Sequence, residues 1–220
     1  MDMSIFEKLE QQLAQQASIR DEISEIVDRL NEKTKIFSLY RASVTEPTQL
    51  ELETLNTKLL DIKNVVKELS EKTSKYSFYK YHDTWSFALQ KAITCLLSAS
   101  WSGLVTDSPS APYSILTLEQ VGNYFDVPVY PNDASFHVAI EDYLHSLVSF
   151  CSELSRVSVT SVIHGKTELA YKVLETITAV HTAFQSLTLK NDSLRRRFDG
   201  IKYDLKRAED VVYDIKIHKI

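Results

Sequence analysis

Glycine and proline are scarce: four Gly and five Pro in 220 residues, about a third of ordinary usage. After Pro131 there is no proline at all. Turn-rich β architectures depend on these residues, so their shortage excludes such folds and favours long helices. Cysteine is equally sparse. Cys95 and Cys151 lack paired spacing, so neither a disulfide framework nor a cysteine metal site is expected. Both read as small buried hydrophobes of an intracellular protein. No apolar run approaches the roughly 18 residues of a membrane span, and the start MDMSIFEKLEQ is not a signal peptide. HExxH, CxxC and a Gly-rich phosphate loop are all missing. Between Lys91 and Arg156 there is no Lys or Arg, against seven acids.

What is present is an apolar fraction of 44%, enough for one large core, and a net charge of −5. That total does not advertise nucleic-acid binding, but its distribution is uneven. Lys67–Lys91 carries five lysines against three acids, and Leu194–Ile220 eight basic residues against five acids. Basic ends around an acidic middle are compatible with a local anion-binding surface.

Periodicity predicts an all-α bundle of about seven helices, with residues 1–220 forming a single domain. Ile5, Leu9, Ile19, Ile23, Ile26, Leu30, Phe37 and Tyr40 share one three–four lattice, giving a helix over about 4–42. Pro47 breaks the chain. Leu52, Leu55, Leu59, Ile62, Val66 and Leu69 mark a second helix, and Phe78–Ser102 a third. Gly103–Thr117 reads as the longest loop, and Leu118–Phe125 as a short helix. Asp133 suits the N-cap of a helix lasting to about His164, with Gly165 ending it. Two apolar stripes on that segment, one from Phe136 to Val157 and one through Leu144, Val148, Cys151 and Val162, predict the central helix. Leu169–Leu187 follows. Finally Leu194, Phe198, Ile201, Leu205, Ala208, Val212 and Ile215 form an a/d stripe over about three heptads. These seams exceed what one small bundle needs, which predicts a closed oligomer.

Phe78-Tyr79-Lys80-Tyr81-His82-Asp83-Thr84-Trp85 interleaves aromatics with a cation and an imidazole. Bases stack on rings while cations neutralise phosphates, so the mixture suits single strands. The commoner cause of Phe78, Tyr81 and Trp85 at this spacing is a buried helical face. His137, Glu141 and His145, at i, i+4 and i+8, have a spacing that can present metal ligands, though chance explains it more often. Arg195-Arg196-Arg197 point three ways around a helix and make no single patch.

The string Asn191–Ile215 resembles the C-terminal helix of the translin family, and Phe136–Val162 resembles it in EDYL, SELSR and SV. FYKYHDTW extends the likeness. The resemblance implies a single-stranded RNA- and DNA-binding protein that assembles with itself, as an octamer, and with a translin-associated factor X-like partner, in cytoplasm and nucleus. The equivalent family segment is a basic nucleic-acid-binding motif whose character Tyr79, Lys80, His82 and Trp85 keep, and nearby Lys75 and the Tyr81 ring are added as a phosphate contact and a stacking surface. Thr84 and Ser86 occupy places that are basic in the animal members, and a second basic cluster is reduced to Lys58 and Lys63. Val162-Ile-His-Gly-Lys166 has lost a proposed nucleotide-binding pentapeptide. Asp142 and Glu153, three turns apart, match acids that complete a metal-dependent endoribonuclease site in the X-type partner. The preceding helix, Gln90–Leu97, lacks the other carboxylates, so this chain is expected to have at most weak nuclease activity. No cofactor is expected, with Mg²⁺ entering only in the mixed complex that cleaves RNA in small-RNA processing. The alternatives are an endoribonuclease active alone through Asp142 and Glu153, or a helical protein-interaction scaffold.

Overall fold

The computed structural model describes residues 3–43, 48–105, 111–130, 135–190 and 193–218. Seven α-helices and no strand occur among them: α1 Met3–Ser43, α2 Gln49–Thr73, α3 Phe78–Trp101, α4 Leu118–Phe125, α5 Ile140–Ile163, α6 Thr167–Gln185 and α7 Ser193–His218. The all-α expectation holds. The chain packs as two compact units that interleave in sequence, Met1–Ala92 with Gly122–Val138, and Ile93–Val121 with Ala139–Ile220.

In the first unit α1 and α2 pack together in opposite directions. Glu22 meets Lys72, Arg29 meets Glu68 and Lys33 meets Asp61, so rising numbers on one helix face falling numbers on the other. Between them Ile23, Ile26, Leu30 and Phe37 of α1 are buried, as are Leu55, Leu59, Ile62, Val66 and Leu69 of α2. Each such side chain stabilises the pair by about 1.5–3 kcal/mol. Thr48 and Glu51 close a capping box at the start of α2, where the Thr48 N–H and hydroxyl both reach Glu51 Oε2 at 2.8 Å. These hydrogen bonds hold the Glu51 carboxyl below its ordinary value. The start of α1 is not covered this way: every residue from 6 to 15 is exposed, Phe6, Leu9 and Leu13 included. The predicted apolar lattice of α1 therefore does core work only from about Ile23 onward.

In the second unit α5, α6 and α7 pack pairwise. Leu194, Phe198, Ile201, Ala208, Val212 and Ile215 are buried, so the stripe read on α7 is its core face. Phe198 stacks on Phe184 of α6 with centroids 5.1 Å apart. Serines of α5 add a polar seam: Ser152 donates to Asp204 at 2.7 Å, and Arg197 donates to Ser149 at 2.7 Å. The end of α3 is enclosed more completely than any other described stretch, with every residue from 92 to 101 buried. Trp101 donates its indole N–H to Thr176 at 3.0 Å.

The expected start of α5 needs correction. Its first residue is Ile140, and Asp133 lies outside the described residues. The N-cap is Ala139, which makes no side-chain cap hydrogen bond. The backbone before it is held instead by Val138, whose N–H donates to the Pro128 carbonyl at 2.9 Å. Phe136 and His137 thus precede the helix, and the i, i+4, i+8 face of His137, Glu141 and His145 does not exist. α5 does bury two sides, packing on α6 and α7 and meeting α3 through Ser98–Glu153 and Thr94–Ser146. Gly165 does end α5, at φ 70°, with Lys166 donating back to Ser161.

Candidate nucleic-acid interface

The first half of α3 is amphipathic in an unusual sense, because both faces carry aromatics. Phe78, Tyr81 and Trp85 fall on the inner face at helical spacing. Tyr81 is 2% exposed and Trp85 1%. Both rings are lost as base-stacking surfaces, and the commoner reading of this stripe is correct for them. Trp85 packs against Phe136 at 5.5 Å, and Phe78 is sandwiched between His82 at 4.5 Å and His137 at 3.8 Å.

The outer face presents Tyr79, 78% exposed, and Phe87, 63% exposed. Eight residues apart, they stand about 12 Å from one another along the axis. Between them lies an open depression of about 620 Å³, lined also by Lys80, His82, Ser86 and Gln90. Lys80 rests its ammonium 5.4 Å from the Tyr81 ring centre, and Lys91 sits 4.4 Å over Phe87. Lys75 is exposed in the turn before α3 and is not part of the depression.

One cation of this site was not anticipated. Arg20 arrives from α1 and lines the same depression. Its Nη1 donates to both Asp83 oxygens, at 3.3 and 3.1 Å, and to the Thr84 hydroxyl at 3.1 Å. Its Nη2 donates to the Lys80 carbonyl at 3.2 Å. The guanidinium carbon lies 5.5 Å from the Tyr81 ring centre. Thr84, which stands where a basic residue was expected, therefore holds a cation supplied from elsewhere in the chain. No local sequence pattern links residues 64 positions apart.

The other expected cations are engaged structurally. Lys58 lies over Tyr40, while Lys63 pairs with Asp126 at 2.8 Å and lies over Tyr124. Arg195 pairs with Asp199, Arg196 is exposed and Arg197 turns inward to Ser149, so the arginine run does splay in three directions. Burial lowers the Arg197 guanidinium from its usual range.

The weak catalytic candidates sit in the second unit. Asp142 is buried, and Glu153 accepts a short hydrogen bond from the Ser98 hydroxyl. One turn earlier on α3, Thr94 donates to the Ser146 carbonyl at 3.4 Å. Hydroxyls thus stand where further carboxylates would be needed. Among the described residues no group of three or more His, Cys, Asp or Glu converges. This donor set does not fit a carboxylate-held Mg²⁺.

A sequence model of the Translin family matches residues 18–219. The chain belongs to the Translin family. It is 32% identical to Translin of Mus musculus over 218 residues, covering 97% of this chain and 92% of that protein. Translin of Homo sapiens is 31% identical with the same coverage. Among solved structures, apo-NeC3PO superposes with a TM-score of 0.69 at 18% identity, over 94% of this chain and 95% of that one. The AfC3PO–duplex RNA complex also gives 0.69 at 18% identity, over 97% of each chain. At that identity the likeness establishes the fold.

Proposed function

We propose that this chain is a single-stranded RNA- and DNA-binding subunit that uses the outer face of α3. The observation that carries the reading is the convergence of Arg20, Lys80 and His82 with two exposed rings, Tyr79 and Phe87, around one depression. Rings supply stacking that tolerates any base, and the cations track the phosphates. Membership of the Translin family supports the same use. Lys75, exposed just before α3, extends the basic track.

The reading includes self-association into a closed ring, an octamer by family resemblance. Phe6, Leu9 and Leu13 leave apolar surface that a second copy would cover. No helix among the described residues is long and apolar enough to cross a membrane. It also includes a mixed complex with a translin-associated factor X-like partner, in cytoplasm and nucleus, in which the partner's carboxylates and Mg²⁺ cut RNA in small-RNA processing. The Ser98–Glu153 hydrogen bond favours that division of labour, because it occupies a carboxylate that a lone nuclease would need.

The test is a titration of matched RNA and DNA oligomers at two salt concentrations with the parent and with Lys75→Ala/Lys80→Ala. The double variant should bind more weakly, its log–log salt slope shallower by roughly 0.7 for each lost phosphate contact. Duplex should compete poorly, since paired bases cannot reach the rings. Salt-independent or absent binding would favour a protein-interaction scaffold instead.

A further inference from the structure

Among the described residues lining the depression there is one carboxylate, Asp83, and it lies directly on the one guanidinium there, that of Arg20. We propose that Asp83 is an internal competitor for the strand. It occupies Arg20 when no ligand is bound and must yield that guanidinium to a backbone phosphate on binding. The inference rests on the nucleic-acid reading above and adds to it an exchange step and a binding residue, Arg20, from outside the α3 motif.

Three observations support the exchange. First, the pair is poorly formed. Both Asp83 oxygens and the Thr84 hydroxyl crowd onto Nη1 alone, whereas the strong arrangement engages two nitrogens in a parallel fork. Second, the Asp83 side chain is 70% exposed, so its carboxylate rotates into water without a large desolvation change. Third, Arg20 has other anchors. The Lys80 carbonyl, the Thr84 hydroxyl and the face of Tyr81 hold the guanidinium in place after the carboxylate leaves.

The vacated position is well suited to a phosphate. Arg20 and Lys80 lie 5.5 and 5.4 Å from the same Tyr81 ring centre, so the freed guanidinium has a second cation on the same ring. The consequence is selectivity by valence. A lone phosphate must displace Asp83 for the gain of one site. A strand engages several cations at once, and its other contacts hold the phosphate at high local concentration while the carboxylate moves aside. Asp83 therefore discriminates against single nucleotides in favour of polymer.

The test compares the full chain with Asp83→Asn, Asp83→Ser, Arg20→Gln and Arg20→Gln/Asp83→Asn. Each is titrated with a fluorescein-labelled oligouridine across a salt series, and with uridine monophosphate as competitor. Asp83→Asn keeps an acceptor for Arg20 and removes only the charge. It should tighten strand binding by about threefold to tenfold while leaving the salt slope close to the parent's, because Arg20 contacts phosphate in both complexes. Uridine monophosphate should compete better against the variant than against the parent. Arg20→Gln should weaken strand binding, and adding Asp83→Asn to it should recover much less than it gains in the parent. Asp83→Ser serves as the second carboxylate-free variant should the first lose its helical circular dichroism. If Asp83→Asn and Asp83→Ser bind the strand no better than the parent while Lys80→Ala still weakens it, the competitor idea is wrong and the α3 site stands. If the parent itself fails to bind at low salt, the nucleic-acid reading falls and takes this inference with it.

Discussion

Tyr79 and Trp85 lie six residues apart in one motif, and truncating them should have opposite consequences. Tyr79 is 78% exposed and Trp85 is 1% exposed. Replacing an exposed ring changes stability by no more than about 0.5 kcal/mol. If a base stacks on Tyr79, Tyr79→Ala should cost about 1–3 kcal/mol of binding, or roughly fivefold to 150-fold in Kd. Trp85→Ala opens a cavity beside Phe78 and Phe136, at a cost of about 3–5 kcal/mol in stability. Wherever that variant remains folded, its affinity should match the parent's. Trp85→Phe sharpens the contrast. The Trp85 indole N–H is buried without a hydrogen-bond partner among the described residues. Removing an unsatisfied donor offsets part of the lost packing, so this swap should cost less than about 1.5 kcal/mol. Urea unfolding followed by far-ultraviolet circular dichroism gives the stabilities, and fluorescence anisotropy of a labelled single strand gives the affinities. The reasoning fails if Tyr79→Ala binds like the parent. It fails equally if Trp85→Phe keeps its stability and loses binding, since a buried ring cannot touch a base.

Two further perturbations test the fold. A Cβ at Gly122 would collide with the Val129 side chain and stand 2.8 Å from the Val127 carbonyl, so Gly122→Ala should destabilise by about 1–3 kcal/mol in the same urea assay. The Glu51 carboxyl is held low by hydrogen bonds from Thr48, backbone first and hydroxyl second. A depressed carboxylate contributes stability above its unfolded value of 4.5 and loses it as pH falls through the folded value. Glu51→Ala should therefore melt below the parent at neutral pH, with the gap closing below pH 4.5; a gap that persists in acid would place the effect outside the capping box.

Much of this architecture was legible because helices announce themselves by period. The seven-position stripe from Leu194 to Ile215 is long enough that chance matches are rare, and six of its members are buried. The short helix Leu118–Phe125 also stands where it was expected, with Thr117 and Gln120 exchanging capping hydrogen bonds at its start. The start of α5 was not. Phe136 and Ile140 are four apart, which continues the helical period by coincidence, and Asp133 supplied a plausible cap. What decides the boundary is tertiary: Phe136 packs on Trp85, His137 stacks on Phe78, and Val138 bonds to Pro128. A period cannot report a contact between residues so far apart in the chain.

The same limit shaped the reading of the site. Helical spacing says that Phe78, Tyr81 and Trp85 share a face and that Tyr79, Ser86 and Phe87 lie on another. It does not say which face is inside when both carry aromatics. Burial settles the point and divides the motif into a structural half and an exposed half. Charge has the same spatial dependence. Thr84 and Ser86 replace expected cations, so counting along the motif gives a weak phosphate site. In space, Arg20 restores one of those charges, and it does so by donating to Thr84 itself. The local positive potential is set by which side chains converge, not by which are adjacent in the chain. A net charge of −5 therefore places no bound on what this face can bind. The charge that matters there is the balance of Arg20 and Lys80, 5.5 and 5.4 Å from one Tyr81 ring centre, against Asp83, 3.1 Å from Arg20.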